Sequence, residues 1–389
     1  MVYTVPLIIF MDNVSGNISK QWNKHHVIYM SNTNLAHKML EEEFYVWFVT
    51  SSPHAAPMEL MHAMKESVLK AAAFGIVAWD CRDEEEVMLI PQGLFFGGDN
   101  PMQGEECSQA GLTCNYFCQT CNVGGQKEHK EPEAGYCSLF KSGNLHNPEN
   151  TINTIKGQFS AVVLSGATEK VKTLVSTTGI HDTISQGILN TLIEMGKKLC
   201  KREAGTPAMP ESEVRAVLEK ELVDFLGGKT LEDAINLLLG MEGVNIHLDT
   251  LTEILHTILL GVVKYLWGQT VFLLNQAKFL SVFQSHLELI DRDGLNAPSL
   301  IPEKHFKSLA QVMPFVIHGL VSQSVIDGWT TIGELVVLLW HTKIDDTKAY
   351  MARLSRMIKD FLNVTAICAP SILISKPKFH FLVHLPLYI

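Results

Sequence analysis

Hydrophobic positions follow two regimes along this chain, short continuous runs at first and helical spacing afterwards. Thr4–Met11 (TVPLIIFM) is an unbroken apolar run with β-branched residues, the pattern of a central strand buried on both faces. The run ends at Asp12, and Asn13–Asn17 (NVSGN) supplies turn chemistry. Val27–Met30 (VIYM) and Phe44–Thr50 (FYVWFVT), rich in aromatic and β-branched residues, predict two more strands. The period then changes. Across Pro57–Phe74, Leu60, Met64, Val68 and Ala72 recur at every fourth position, which predicts a helix stopped by Gly75. Val87–Phe96 returns to strand character and closes on Gly97, Gly98 and Asp99.

Cys137–Lys156 is polar and turn-rich and reads as a loop. Helical spacing then covers Val171–Glu203 and Glu211–Leu226, with the breaker Ala204–Pro210 (AGTPAMP) between them. It continues through Leu231–Leu239, Leu251–Leu274, Leu280–Leu289, His305–Val321, Trp329–Trp340 and Thr347–Leu362. No repeat of fixed period is present. Three strands, a helix and a strand ending in an acid is the order of a ribonuclease-H-like fold, in which the fourth strand lies parallel beside the first. Asp12 and Asp99 would then sit side by side at one edge of the sheet. The helical block reads as an insertion into that sheet domain or as a second domain.

Composition narrows the function classes. Apolar residues make up 47% and charged residues 19%, so the chain is globular rather than disordered. A formal charge of −10 argues against binding nucleic acid through a broad basic surface, so such a function would rest on local patches or on a domain outside this chain. The N-terminus lacks a basic region and a cleavage site, and it reads as a strand. The longest apolar run, Ile254–Leu274, is interrupted by His256, Lys264 and Gln269 and reads as a core helix, not a membrane span. An intracellular, soluble protein is expected.

Five of the eight cysteines fall between Cys107 and Cys137, a cluster that favours metal binding over disulfides. Cys118 and Cys121 form a Cys-x-x-Cys pair, half of a zinc site. The other half comes either from Cys107, Cys114, His129 or Cys137 nearby, or from His380 and His384, a His-x-x-x-His pair in the last residues. Glu253 and His256 stand one turn apart on an apolar helix, as an accessory metal pair or as structural groups. Taken alone, Asp12 and Asp99 each read equally as turn or capping acids.

The ordered set FMDNVSGN, KQWNKHHVIYMSN, GGDNPMQ, FCQTCNVGG, TEILHTILLGVVKYLW and KPKFHFLVHLP resembles the DDE transposases of fungal Plavaka elements, within the CACTA-like group of cut-and-paste DNA transposons. The resemblance covers nearly the whole chain. It implies a ribonuclease-H-like mixed sheet interrupted by a large all-helical insertion, with the core in residues 1–137, the insertion in 138–375 and the start of the returning core in 376–389. It implies Asp12 and Asp99 as catalytic carboxylates for Mg²⁺ or Mn²⁺, which serve strand cleavage and transfer. It also implies a structural Zn²⁺ shared by Cys118, Cys121, His380 and His384, with Glu253 and His256 as the family's acid-x-x-His pair. Transposon-end DNA would be the partner and the nucleus the location. The family's third acid lies beyond the histidine pair and its DNA-recognition module before the first strand. This chain is therefore expected to be truncated at both ends and inactive as it stands, or a non-catalytic, zinc-stabilised interaction protein of transposon origin. The oligomeric state is not legible.

Overall fold

Pro6 breaks the first apolar run into two strands, β1 (Val2–Val5) and β2 (Leu7–Ser15). Proline has no N–H to donate to a ladder, so it falls naturally between them. Its carbonyl still accepts from the Thr33 N–H at 2.9 Å. The structure, a computed structural model, describes residues 1–15, 24–201, 209–290 and 305–388. By contact it divides into two compact units, Met1–Gly124 with Asn144–Leu251, and Gly125–Gly143 with Thr252–Ile389. That division follows contact rather than ancestry, so it poses a different question from the borders expected at 137/138 and 375/376.

The first unit carries two small mixed sheets. Strands β3 (Lys24–Asn32), β4 (Trp47–Ser52) and β7 (Phe95–Gly97) join β2 in the order β4-β3-β2-β7. Strands β5 (Ile76–Asp80) and β6 (Glu85–Pro91) join β1 in the order β1-β6-β5. The strand expected over Val87–Phe96 is thus two strands. Between the parallel pair β1–β6 and the parallel pair β2–β7 the register slips by one residue, and Gly93 at φ +62° accommodates the slip. β2 does not end at Asp12. It runs on against β3, pairing Asp12 with Val27 and Asn13 with His26, so no turn begins at Asn13. Residues 16 and 17 of the expected turn lie outside the described residues. Phe44 belongs to a short 3₁₀ turn rather than to β4.

The helix Pro57–Phe74 forms as its spacing predicts, and Gly75 ends it at φ +71°. The loop expected over Cys137–Lys156 is partly helix. Asn147 caps a helix over Pro148–Val162 through Oδ1, which accepts from the Glu149 N–H at 2.8 Å. That helix buries only one stripe, including Ile155, Phe159 and Val162, so most of its sequence is polar. The segment expected as one helix over Val171–Glu203 is two, Ala167–Thr178 and Thr183–Leu199. Gly179 separates them at φ +75°, and a Cβ there would fall 2.1 Å from the Tyr116 carbonyl. Most of the Ala204–Pro210 breaker lies outside the described residues. The core of this unit gathers Ile9, Met11, Ile28, Met61, Phe96 and Phe159.

The second unit is helical. Its apolar run opens as a nine-residue π-helix, Leu255–Val263, and continues as an α-helix over Lys264–Gln276. Leu255–Gln276 is long and apolar enough to cross a membrane by length and composition, yet 56% of its apolar window is buried inside the protein. Ile258, Val262 and Leu274 pack in one core with Leu309, Trp329 and Phe361. Within that core the buried Trp329 indole donates to Thr270 Oγ1 at 2.9 Å. Thr270→Val keeps the volume but leaves the indole N–H without this acceptor. Urea titration is expected to show a loss of about 1–3 kcal/mol, and unchanged stability would remove this bond from the account.

Candidate metal centre and carboxylate pair

Asp12 and Asp99 stand two residues beyond Phe10 and Gly97, the last paired positions of the parallel strands β2 and β7. Gly98 shows how closely the strands run past that point: a Cβ there would lie 2.9 Å from the Met11 carbonyl and 2.8 Å from Met102 Cβ. Both acids are half-buried. Asp99 also caps the helix Asn100–Glu106, with Oδ1 accepting from the Met102 N–H at 2.9 Å. Asp12 Oδ1 accepts from the Asn13 N–H at 2.6 Å.

Two acids that sequence reasoning passed over lie on that capped helix. Glu105 faces a cavity of about 870 Å³ shared with His26, His62 and Lys65. Burial, then the Asp99 charge, holds its carboxyl above the ordinary value. Glu106 is wholly buried, and among the described residues neither of its carboxylate oxygens has a hydrogen-bond partner. Burial pushes its carboxyl well above the ordinary range, and the charges of Asp99 and Glu105 add to the effect. Such a place favours the neutral acid over the carboxylate. Its only sequence trace is an acidic pair inside GGDNPMQGEEC, which reads as an ordinary polar turn.

The cysteine pair lies on a buried loop. Cys118 Sγ and Cys121 Sγ are 3.8 Å apart, and the Cys121 N–H points at Cys118 Sγ at 3.4 Å. Burial raises the Cys118 thiol well above its ordinary value, and the Cys121 thiol beside it adds to the rise. Burial thus favours the protonated Cys118 thiol, and metal uptake there must release a proton. The histidine pair spans the short helix Lys378–Phe381 and the 3₁₀ segment Leu382–Tyr388. His380 Nδ1 donates to the Leu139 carbonyl at 2.9 Å, which fixes the tautomer and turns the Nε2 lone pair towards His384 Nε2, 3.3 Å away.

Cys118 and Cys121 in the first unit and His380 and His384 in the second are all buried. Tetrahedral zinc at about 2.3 Å from sulfur and 2.0–2.1 Å from nitrogen sets the two sulfurs about 3.8 Å apart and the two nitrogens about 3.3–3.4 Å apart. The observed separations are 3.8 Å and 3.3 Å. Each pair thus stands at the separation that a structural zinc asks of two of its ligands. Among the described residues, Cys107, Cys114, His129 and Cys137 form no metal-ligating group of three or more.

Glu253 and His256 meet at the start of the π-helix, His256 Nδ1 lying 2.9 Å from Glu253 Oε2. The same carboxylate accepts the Leu255 and His256 N–H groups, so it caps the helix. Lys378 Nζ donates to the His256 carbonyl at 2.6 Å. This pair is not joined by a third metal-ligating side chain among the described residues. Comparison of the chain with models of known protein families and with curated proteins finds no match.

Proposed function

We propose that this chain is the core of a DDE-type DNA transposase, with Asp12 and Asp99 as its paired carboxylates and a structural zinc at Cys118, Cys121, His380 and His384. The supporting observation is the parallel pairing of β2 with β7, whose register brings the two acids to the same end of neighbouring strands. Under this reading the sheet order is ribonuclease-H-like and the helices form the insertion. Bound Mg²⁺ or Mn²⁺ would supply Lewis-acid activation of water or a DNA 3′-hydroxyl for in-line attack on a phosphodiester. Asp12 and Asp99 would hold the ions, while the Met102 N–H fixes the Asp99 side chain and leaves its second oxygen for the metal. DNA of transposon ends is the substrate and the nucleus the place of action.

The formal charge of −10 favours a second reading, a non-catalytic, zinc-stabilised interaction protein of transposon origin, because a polyanion is repelled by such a surface. Mn²⁺ binding followed by electron paramagnetic resonance separates the two. Asp99→Asn is the informative variant, since asparagine caps a helix as well as aspartate does and removes only the charge. The catalytic reading expects Mn²⁺ to bind the wild type and to be lost from Asp12→Asn and Asp99→Asn. A wild-type protein that takes up no Mn²⁺ at either carboxylate would leave the second reading in possession.

A further inference from the structure

The loop Cys118–Cys121 is held by its backbone carbonyls, three in succession. The Cys118 carbonyl accepts from Gln109 Nε2 at 3.1 Å, and His146 Nε2 packs against both groups, 3.1 Å from that oxygen and 3.2 Å from Gln109 Nε2. The Gln119 carbonyl accepts from His247 Nδ1 at 2.9 Å. The Thr120 carbonyl accepts the His146 backbone N–H, also at 2.9 Å. The Gln119 side chain is tied as well, its Nε2 donating to Gln103 Oε1 at 3.0 Å. A carbonyl can only accept, so His247 must carry its proton on Nδ1. His247 Nε2 is then left to accept from the Thr151 hydroxyl at 2.9 Å.

Gln109 and His247 are buried, and a buried polar side chain costs stability unless its hydrogen bonds are made. Apolar residues of similar shape would fill the same space without that cost. Their donors converge on the one four-residue stretch that carries both sulfurs. We propose that Gln109, His146 and His247 are the positioning residues of the metal centre. They hold the loop so that Cys118 Sγ and Cys121 Sγ stand at a zinc-chelating separation before the ion arrives. The ordering of the loop is then completed in folding rather than charged against binding. This proposal rests on reading the Cys₂His₂ group as a zinc centre.

The test measures zinc affinity of the whole chain by competition with a chromogenic chelator, together with the visible spectrum of the Co²⁺-substituted protein. His247→Phe keeps a ring of similar size and removes both hydrogen bonds. His247→Asn restores a side-chain N–H near the position of Nδ1. The Phe variant is expected to bind zinc about 10–100-fold more weakly and to change the intensity of the Co²⁺ ligand-field bands. The Asn variant should recover most of the affinity. Gln109→Met, which leaves His247 on the Gln119 carbonyl, should lose less in the same direction, and it carries the test if the Phe variant does not fold. Unchanged affinity in a folded Phe or Met variant would overturn the proposal. So would equal losses in the Phe and Asn variants, because ring packing and not the hydrogen bond would then be what matters. A wild type that holds neither zinc nor Co²⁺ would instead remove the centre itself, and the proposal with it.

Discussion

Protein carrying both His380→Ala and His384→Ala is expected to lose the single zinc that the wild type should hold per chain. Within each pair the ligand atoms already stand at the separation zinc requires, so neither pair needs to rearrange internally to bind the ion. Removing both imidazoles leaves two sulfurs, and two thiolates alone do not close a tetrahedral structural site. Structural zinc contributes on the order of 10 kcal/mol in small zinc domains. A fall in melting temperature should therefore accompany the loss, and a chelator should reproduce it in the wild type. Acidification should release the ion as the thiolates and imidazoles take up protons. Metal analysis of the folded double variant decides the matter: undiminished zinc would sink the pairing of Cys118 and Cys121 with His380 and His384.

Replacing Glu106 by glutamine is expected to stabilise the protein above the ordinary carboxylate range and to flatten its stability–pH curve. The folded state holds the Glu106 carboxyl above its unfolded value, because burial and the Asp99 and Glu105 charges all oppose ionisation. Folding then binds a proton that the unfolded chain has released. The stability this group contributes is fully present below the unfolded value and is lost as pH rises through the folded value. Within that window the slope is about 1.4 kcal/mol per pH unit. Glutamine keeps the shape of the neutral acid and cannot ionise, so denaturant titrations of Glu106→Gln at several pH values should lack this slope. A wild type whose stability rises from mildly acidic to neutral pH as steeply as that of the variant would show that Glu106 is not held neutral.

How much of this was legible varies by element, for physical reasons. Pro57–Phe74 could be read to the residue, since its period, its entry proline and its exit glycine are all local signals. The two regimes of the chain were legible too, mixed sheet first and helix afterwards. The strand breaks at Pro6 and Gly93 were not, because each apolar run reads as continuous until a partner strand fixes its register. Gly179 was missed for a like reason: what demands glycine there is the Tyr116 carbonyl, 63 residues away in sequence.

By itself, the sequence determined which side chains were available for chemistry. It singled out Asp12, Asp99, the Cys-x-x-Cys loop and the late histidine pair, because spacing along one loop or one helical turn is a local property. It left open whether Cys118 and Cys121 are completed by neighbours or by His380 and His384, since that choice depends on proximity across about 260 residues. Tertiary structure added that both pairs are buried and that each stands at the separation zinc requires. Tertiary structure alone also revealed Glu106, Gln109, His146 and His247. A buried acid and a set of donors aimed at one loop have no periodicity and no motif. They acquire meaning only from burial and from the carbonyls they face.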